Sequence, residues 1–429
     1  NGVNINLGNT TTLSGGAIVT YGAGGDAAGD IISGFENIIG SDFNDSLTGN
    51  NTSNALIGGI GNDTLDGGDG NDTLDGGAGT DSLIGGASDD LIIGGAGADI
   101  LFGGSGNDTV SYIGSSAGVI VTLISGSQAT LSGAGDAAGD IISGFENIIG
   151  SDFNDTLSGD GGSNLLVGGA GNDSLFGDAG SDTILGGLGD DLIRGGSGAD
   201  SLDGGFGNDT LSYVGSSAGV NVNLLNNLVS GGDATGDSIS NFENIIGSAN
   251  NDTLTGDAND NWLNGGIGYN SLDGGAGSDW ADYADATTAL TVTLLNPTIS
   301  GGATGGSASG SNINDILVNI ENIRGGAGSD TLTGNDGDNW LRGGLGGDKI
   351  DGGGGSDWAD YKDATATVTV DLSKGTASGA DGNDTLTNIE NIRGGVGNDA
   401  LTGNAADNIF IGGAGNDSMD GGTGIDIAR

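Results

Sequence analysis

The sequence predicts an all-β fold, a solenoid of short strands and tight turns. Three observations predict it: glycine fills 97 of 429 positions, an apolar residue recurs with a period of nine, and each period carries an acidic or amide residue at one fixed slot. Glycine at this level makes a conventional packed core hard to build, because each one loses much backbone entropy on ordering and packs nothing. Only 19 residues are aromatic and one is proline. Such a composition would ordinarily mean disorder, so periodicity decides the matter.

From Gly58 the chain reads GGIGNDTLD, GGDGNDTLD, GGAGTDSLI, GGASDDLII, GGAGADILF and GGSGNDTVS. In that register there are 27 nonads in five tracts, 40–111, 150–212, 247–282, 325–360 and 394–429, and 16 of them match G-G-x-G-x-D in full. Position eight is apolar in all of them, from Leu47, Leu56 and Leu65 to Phe410, Met419 and Ala428. One inward residue beside a glycine-rich turn ending in Asp describes a short strand and a tight turn, and two nonads make one coil of 18 residues. The tracts and the segments before them divide the chain into 1–111, 112–212, 213–282, 283–360 and 361–429 along one continuous solenoid.

Charge supplies the chemistry. Acidic residues number 58 against 8 basic ones, a formal charge of −50, which disfavours nucleic acid and anionic membrane surfaces and favours multivalent cations. One buried Leu per nonad returns only about 2–3 kcal/mol, less than ordering nine residues costs. Asp side chains stacked one strand spacing apart repel one another, and a divalent cation between them reverses that sign. Carboxylate and backbone carbonyl oxygens suit calcium rather than zinc or copper. With no histidine and no cysteine there is no Ser-His-Asp triad, thiol nucleophile, thiolate site or disulfide. No stretch approaches 18 consecutive apolar residues, so membrane insertion is not expected, and nothing at the start resembles a signal peptide. The opening "GVNINL" matches "GVNVNL" at Gly219–Leu224, as in a piece of a longer array.

On these nonads the chain resembles the RTX, or haemolysin-type calcium-binding, repeat family over about two thirds of its length. The resemblance implies a parallel β-roll with calcium between successive turns on each edge, and type I secretion with folding outside the cell. On it, the expected ligands are Asp45, Asp63, Asp72, Asp81, Asp90, Asp99 and Asp108 in the first tract, and Asp155, Asp173, Asp182, Asp191, Asp200 and Asp209 in the second. They continue with Asp252 and Asp279, with Asp330, Asp348 and Asp357, and with Asp399, Asp417 and Asp426, paired at a spacing of 18. The third tract is the weakest, since Asn270 stands in an Asp slot. The resemblance further implies an extracellular, secreted or surface-borne scaffold, a rigid stalk or structural part of an adhesin, S-layer or matrix fibre. Its competitor is a C-terminal RTX or carbohydrate-binding module of a secreted protease, lipase or alginate epimerase. The catalytic domain that reading needs is not in these residues, so the chain is read as no enzyme.

The register extends past the consensus. All five glutamates, Glu36, Glu146, Glu243, Glu321 and Glu390, occupy the Asp slot of a nonad reading ENI, and 18 residues later stand Asn54, Asn164, Asn261, Asn339 and Asn408. Each Glu/Asn pair is expected to hydrogen-bond across the coil as an end cap; a calcium site with Glu as the longer ligand is the alternative. Six residues before each Glu lies Asp30, Asp140, Asp237, Asp315 or Asp384, read as a turn cap ahead of an accessory ion site.

The segments between tracts begin with Tyr112, Tyr213, Tyr283 and Tyr361, then alternate as Val119, Val121, Leu123; Val220, Val222, Leu224; Leu290, Val292, Leu294; and Val368, Val370, Leu372. Period two predicts half-buried strands, hence wider coils continuing the solenoid, with flexible connection as the alternative. Trp262 with Trp280, and Trp340 with Trp358, stand 18 apart at position seven and should stack. Exposed, they would offer a cell-surface glycan platform or a self-association contact; covered, they seal the junction with the next spacer.

Overall fold

The computed structural model describes the chain except residues 1, 8–10, 13–17, 22–24, 28–30, 33, 297–305 and 380. The fold is all-β, a parallel β-roll, in two units: Asn1–Leu211 with Gly236–Phe242, and Ser212–Thr235 with Glu243–Arg429.

In the first unit the nonads alternate between two walls. One wall is a ten-stranded sheet that includes Ala55–Ile60, Thr73–Gly79, Leu91–Gly97, Asn147–Ile149, Leu165–Ala170 and Thr183–Leu188. The other carries Ser46–Thr48, Thr64–Asp69, Ser82–Ala87 and Ile100–Ser105 through the first tract. Within a tract successive coils pair in parallel at an offset of 18, so Leu65 faces Leu83 and Leu83 faces Leu101, while Leu56 faces Leu74 and Leu74 faces Ile92. These position-eight side chains are fully buried. They form the apolar row that the period of nine predicts. The second unit repeats the plan, with Trp262–Asn264, Trp280–Asp282, Asn322–Arg324, Trp340–Arg342 and Trp358–Asp360 in one wall.

Among the described residues, the spacers from Tyr112, Tyr213, Tyr283 and Tyr361 carry strands, and their alternating apolar residues are buried. In the last two spacers the strand order within the wall is reversed relative to the chain. In the last spacer Val368–Asp371 pairs forward with Ala400–Thr402, Gly382–Thr387 pairs back with Lys349–Asp351, and Thr376–Gly379 lies antiparallel between them. The spacer from Tyr283 does the same with Thr291–Thr293, Gly306–Ser309 and Asn314–Val318. A three-stranded antiparallel insert thus joins the two parallel stretches of one wall. The flexible-linker alternative does not describe these strands.

Candidate metal centre

The turns place the Asp slot. At position four, a Cβ on Gly79 would collide with the carbonyl oxygen of Gly61 one coil earlier, so only glycine lets the coils approach this closely. At position one, a Cβ on Gly76 would lie 2.6 Å from Asp81 Oδ2 and 2.6 Å from the carbonyl oxygen of Gly94. Glycine therefore leaves open a space bordered by a carboxylate oxygen of its own turn and a carbonyl oxygen of the next coil.

The Asp side chains form a ladder along each edge. The amide N–H of Asp45 donates to Asp63 Oδ1 at 2.7 Å, that of Asp63 to Asp81 at 2.7 Å, and that of Asp81 to Asp99 at 2.8 Å. On the other edge Asn54 donates to Asp72, Asp72 to Asp90 and Asp90 to Asp108. In the second tract Asp155, Asp173 and Asp191 donate to Asp173, Asp191 and Asp209, while Asn164 and Asp182 donate to Asp182 and Asp200. Asp330 donates likewise to Asp348, and Asp399 to Asp417. The 18-residue pairs read from the sequence are in contact, through a backbone donor of one residue and a carboxylate of the other.

One oxygen per carboxylate is thereby used. The second, Oδ2, is buried without a hydrogen-bond donor in Asp63, Asp72, Asp81, Asp90, Asp99, Asp108, Asp173, Asp182, Asp191, Asp279, Asp348 and Asp357. A buried acceptor with no donor is costly, and a carboxylate more so. Burial, with neighbouring carboxylates adding to it, pushes Asp72, Asp81, Asp90, Asp99 and Asp108 up to about 6 from the ordinary 3.8. Asp173, Asp348 and Asp357 rise to about 7 for the same reason.

The opening nonad of each tract differs. Asp155 accepts the N–H of Ser151 at 2.6 Å on Oδ2 and that of Val119 at 2.7 Å on Oδ1. Asp45, Asp252, Asp330 and Asp399 are likewise bonded on both oxygens, by Ser41 and Val3, Ser248 and Val220, Gly326 and Leu290, and Gly395 and Val368. The backbone at position two makes the difference. Gly59, Gly68 and Gly77 there are left-handed at φ 110°, 104° and 93°, whereas Ser41, Ser151, Ser248, Gly326 and Gly395 are not, and their N–H groups reach the carboxylate. These five Asp tether the alternating strand that precedes their tract. Asp417 and Asp426 keep the ladder bond but lie in the last coil, half-exposed.

The Glu/Asn pairs bond across the coil, though not side chain to side chain. Asn164 Nδ2 donates to the main-chain oxygen of Glu146 at 2.7 Å, and Asn54, Asn261, Asn339 and Asn408 repeat this with Glu36, Glu243, Glu321 and Glu390. The Glu146 carboxylate accepts the N–H of Asp108, so it closes the ladder of the tract before; Glu321 and Glu390 close theirs on Asp279 and Asp357.

Asp140, Asp237, Asp315 and Asp384, six residues ahead of their Glu, close the other edge. Asp140 accepts the N–H of Asp99 at 2.8 Å and the Tyr112 hydroxyl at 3.0 Å, partners 41 and 28 residues away, which corrects the expected local turn cap. Asp315 and Asp384 do the same with Asn270 and Tyr283, and with Asp348 and Tyr361; Asp237 accepts from Asp200. Asp30 lies outside the described residues. The sequence showed the spacing of these aspartates; it gave no sign of partners across the spacer.

Both Trp pairs stack, with ring centroids 4.6 Å apart for Trp262 and Trp280 and 4.2 Å for Trp340 and Trp358. Trp358 is buried and the other three are half-buried. Arg342 lies 5.7 Å from the Trp262 ring and 5.2 Å from that of Trp280, while its fork holds Asp360 and Asp363.

The residues present fit calcium. Among the described residues no three His, Cys, Asp or Glu side chains converge on one point, so a transition-metal cage is not formed. What repeats is a carboxylate oxygen lacking a donor beside a carbonyl oxygen, the hard oxygen set of calcium. Among the described residues no helix is long and apolar enough to cross a membrane. No curated protein matches the chain. The family described as RTX calcium-binding nonapeptide repeat (4 copies) matches residues 30–65, 48–83, 75–110, 140–175, 176–211, 246–281, 324–359 and 393–428, more than half of the chain. With its ladders of half-satisfied aspartates, the chain belongs to the RTX calcium-binding nonapeptide repeat family.

Proposed function

We propose that the protein is an extracellular scaffold whose coils are completed by calcium, serving as a rigid stalk or structural part of a surface adhesin, S-layer or matrix fibre. The observation that carries this reading is the row of buried carboxylate oxygens without donors, repeated coil after coil. Asp63 to Asp108 in the first tract, Asp173, Asp182 and Asp191 in the second, and Asp279, Asp348 and Asp357 hold the ions. The five opening aspartates serve as tethers. Calcium supplies charge compensation for carboxylates that the fold otherwise holds against their preference to stay hydrated. A chain of this charge stays open where calcium is scarce and closes where it is abundant, which suits export before folding. A bound ion also locks each coil to the next, the property a load-bearing rod needs.

Equilibrium dialysis of the chain against calcium, with magnesium as competitor, tests this reading. Several calcium ions per chain, retained against excess magnesium, are expected. A chain that binds none, or prefers magnesium, contradicts it.

A further inference from the structure

The two units meet the same problem, anionic coils with little core, by different means. Of the twelve donorless carboxylate oxygens named above, nine belong to the first unit and three, on Asp279, Asp348 and Asp357, to the second. The difference exceeds the difference in length, since the first unit has 15 nonads and the second 12.

The second unit adds side-chain contacts between its coils. Asn270 continues the ladder where an Asp would leave an oxygen bare, and it donates to Asp315 at 2.9 Å. All four tryptophans and seven of the eight basic residues lie there. Arg342, itself buried, donates to Asp360 and to Asp363, and Arg324 reaches Asp363 at 2.8 Å, so the start of the last spacer is pinned to earlier coils by charges the chain carries itself. The first unit has one cation, Arg194, paired with Asp178 at 3.6 Å.

We infer that the two units answer to calcium separately: the second holds its coils at calcium concentrations where the first is still open. The inference rests on calcium completing the coils. It makes the chain a two-threshold device, part of which keeps its shape while the rest opens and closes with the ion.

The sequence provides a separate reporter for each unit in the intact chain. Tryptophan emission reports only the second unit. Tryptic cleavage after Arg194 reports only the first, because that is the one basic residue before Arg324 and it ends the strand Leu192–Arg194. Both are read on the full chain during one calcium titration, with the cleavage followed by mass spectrometry after a short trypsin pulse. The tryptophan transition is expected at a calcium concentration about three-fold or more below that which protects Arg194, a gap equivalent to a sizeable fraction of tenfold in affinity. A shared midpoint, or protection of Arg194 at the lower concentration, overturns the separate response and leaves calcium-driven folding intact. If neither reporter responds to calcium, the calcium reading itself falls and this inference with it.

Discussion

Asp81 uses its two oxygens differently: Oδ1 takes the N–H of Asp63 and Oδ2 is buried with no donor. Asn164, in the same slot of an opening coil, has an amide nitrogen that donates to Glu146. Asp81→Asn should therefore keep the ladder bond, remove a charge, and stabilise the calcium-free fold by about 1–3 kcal/mol while binding fewer ions. Denaturant midpoints in chelator and dialysis counts in calcium check both signs. Gly76→Ala keeps the charge and fills the space: the backbone at Gly76 is not left-handed, but the new methyl would lie 2.6 Å from Asp81 Oδ2 and 2.6 Å from the Gly94 oxygen, so the coil must shift to admit it. The expected outcome is a lower calcium count together with a lower denaturant midpoint in chelator, because one of the crowded atoms is backbone. At this scale the Asp slots were legible in the sequence. The split between tethering and donorless carboxylates was not, since Gly326 and Gly395 share the consensus letter with Gly59 and differ only in backbone hand.

The spacers were half legible as elements. Period two revealed their strands, for Val368, Val370 and Leu372 alternate and are buried. Nothing in the alternation says which neighbouring tract a strand will join, because successive coils present the same edge, and the reversed order follows from pairing across 31 to 45 residues. The lock on the spacers that start at Tyr112, Tyr283 and Tyr361 is the tyrosine hydroxyl. Tyr361→Phe removes the hydroxyl that donates to Asp384 at 2.9 Å and leaves a buried carboxylate oxygen short of a donor. A loss of about 1–3 kcal/mol is expected, read from urea unfolding in saturating calcium. A variant as stable as the parent would mean that the insert is held by its apolar row alone.

Across the whole molecule the charge pattern sets the response to pH. In the calcium-free fold, carboxylates raised to about 6, such as Asp81, or about 7, such as Asp173, keep protons that the unfolded chain, at the ordinary 3.8, has already lost. The fold therefore binds more protons than the open chain between about pH 4 and about pH 7, and its stability falls as pH rises through that window. Acidifying calcium-free buffer from pH 7 to about pH 4 should increase β-sheet signal in circular dichroism. In calcium the sign reverses, because the ion must displace the proton, so affinity should weaken as pH drops below about 6. The period of nine made the 18-residue coil legible and the −50 charge pointed to multivalent cations, while the parallel roll came from the resemblance to the repeat family. The most direct test of ion-coupled folding is circular dichroism with hydrodynamic radius during a calcium titration at neutral pH, from chelator to about 10 mM, which brackets extracellular affinities. A cooperative gain of β signal with contraction is the predicted result; a chain already compact and fully β in chelator would contradict it.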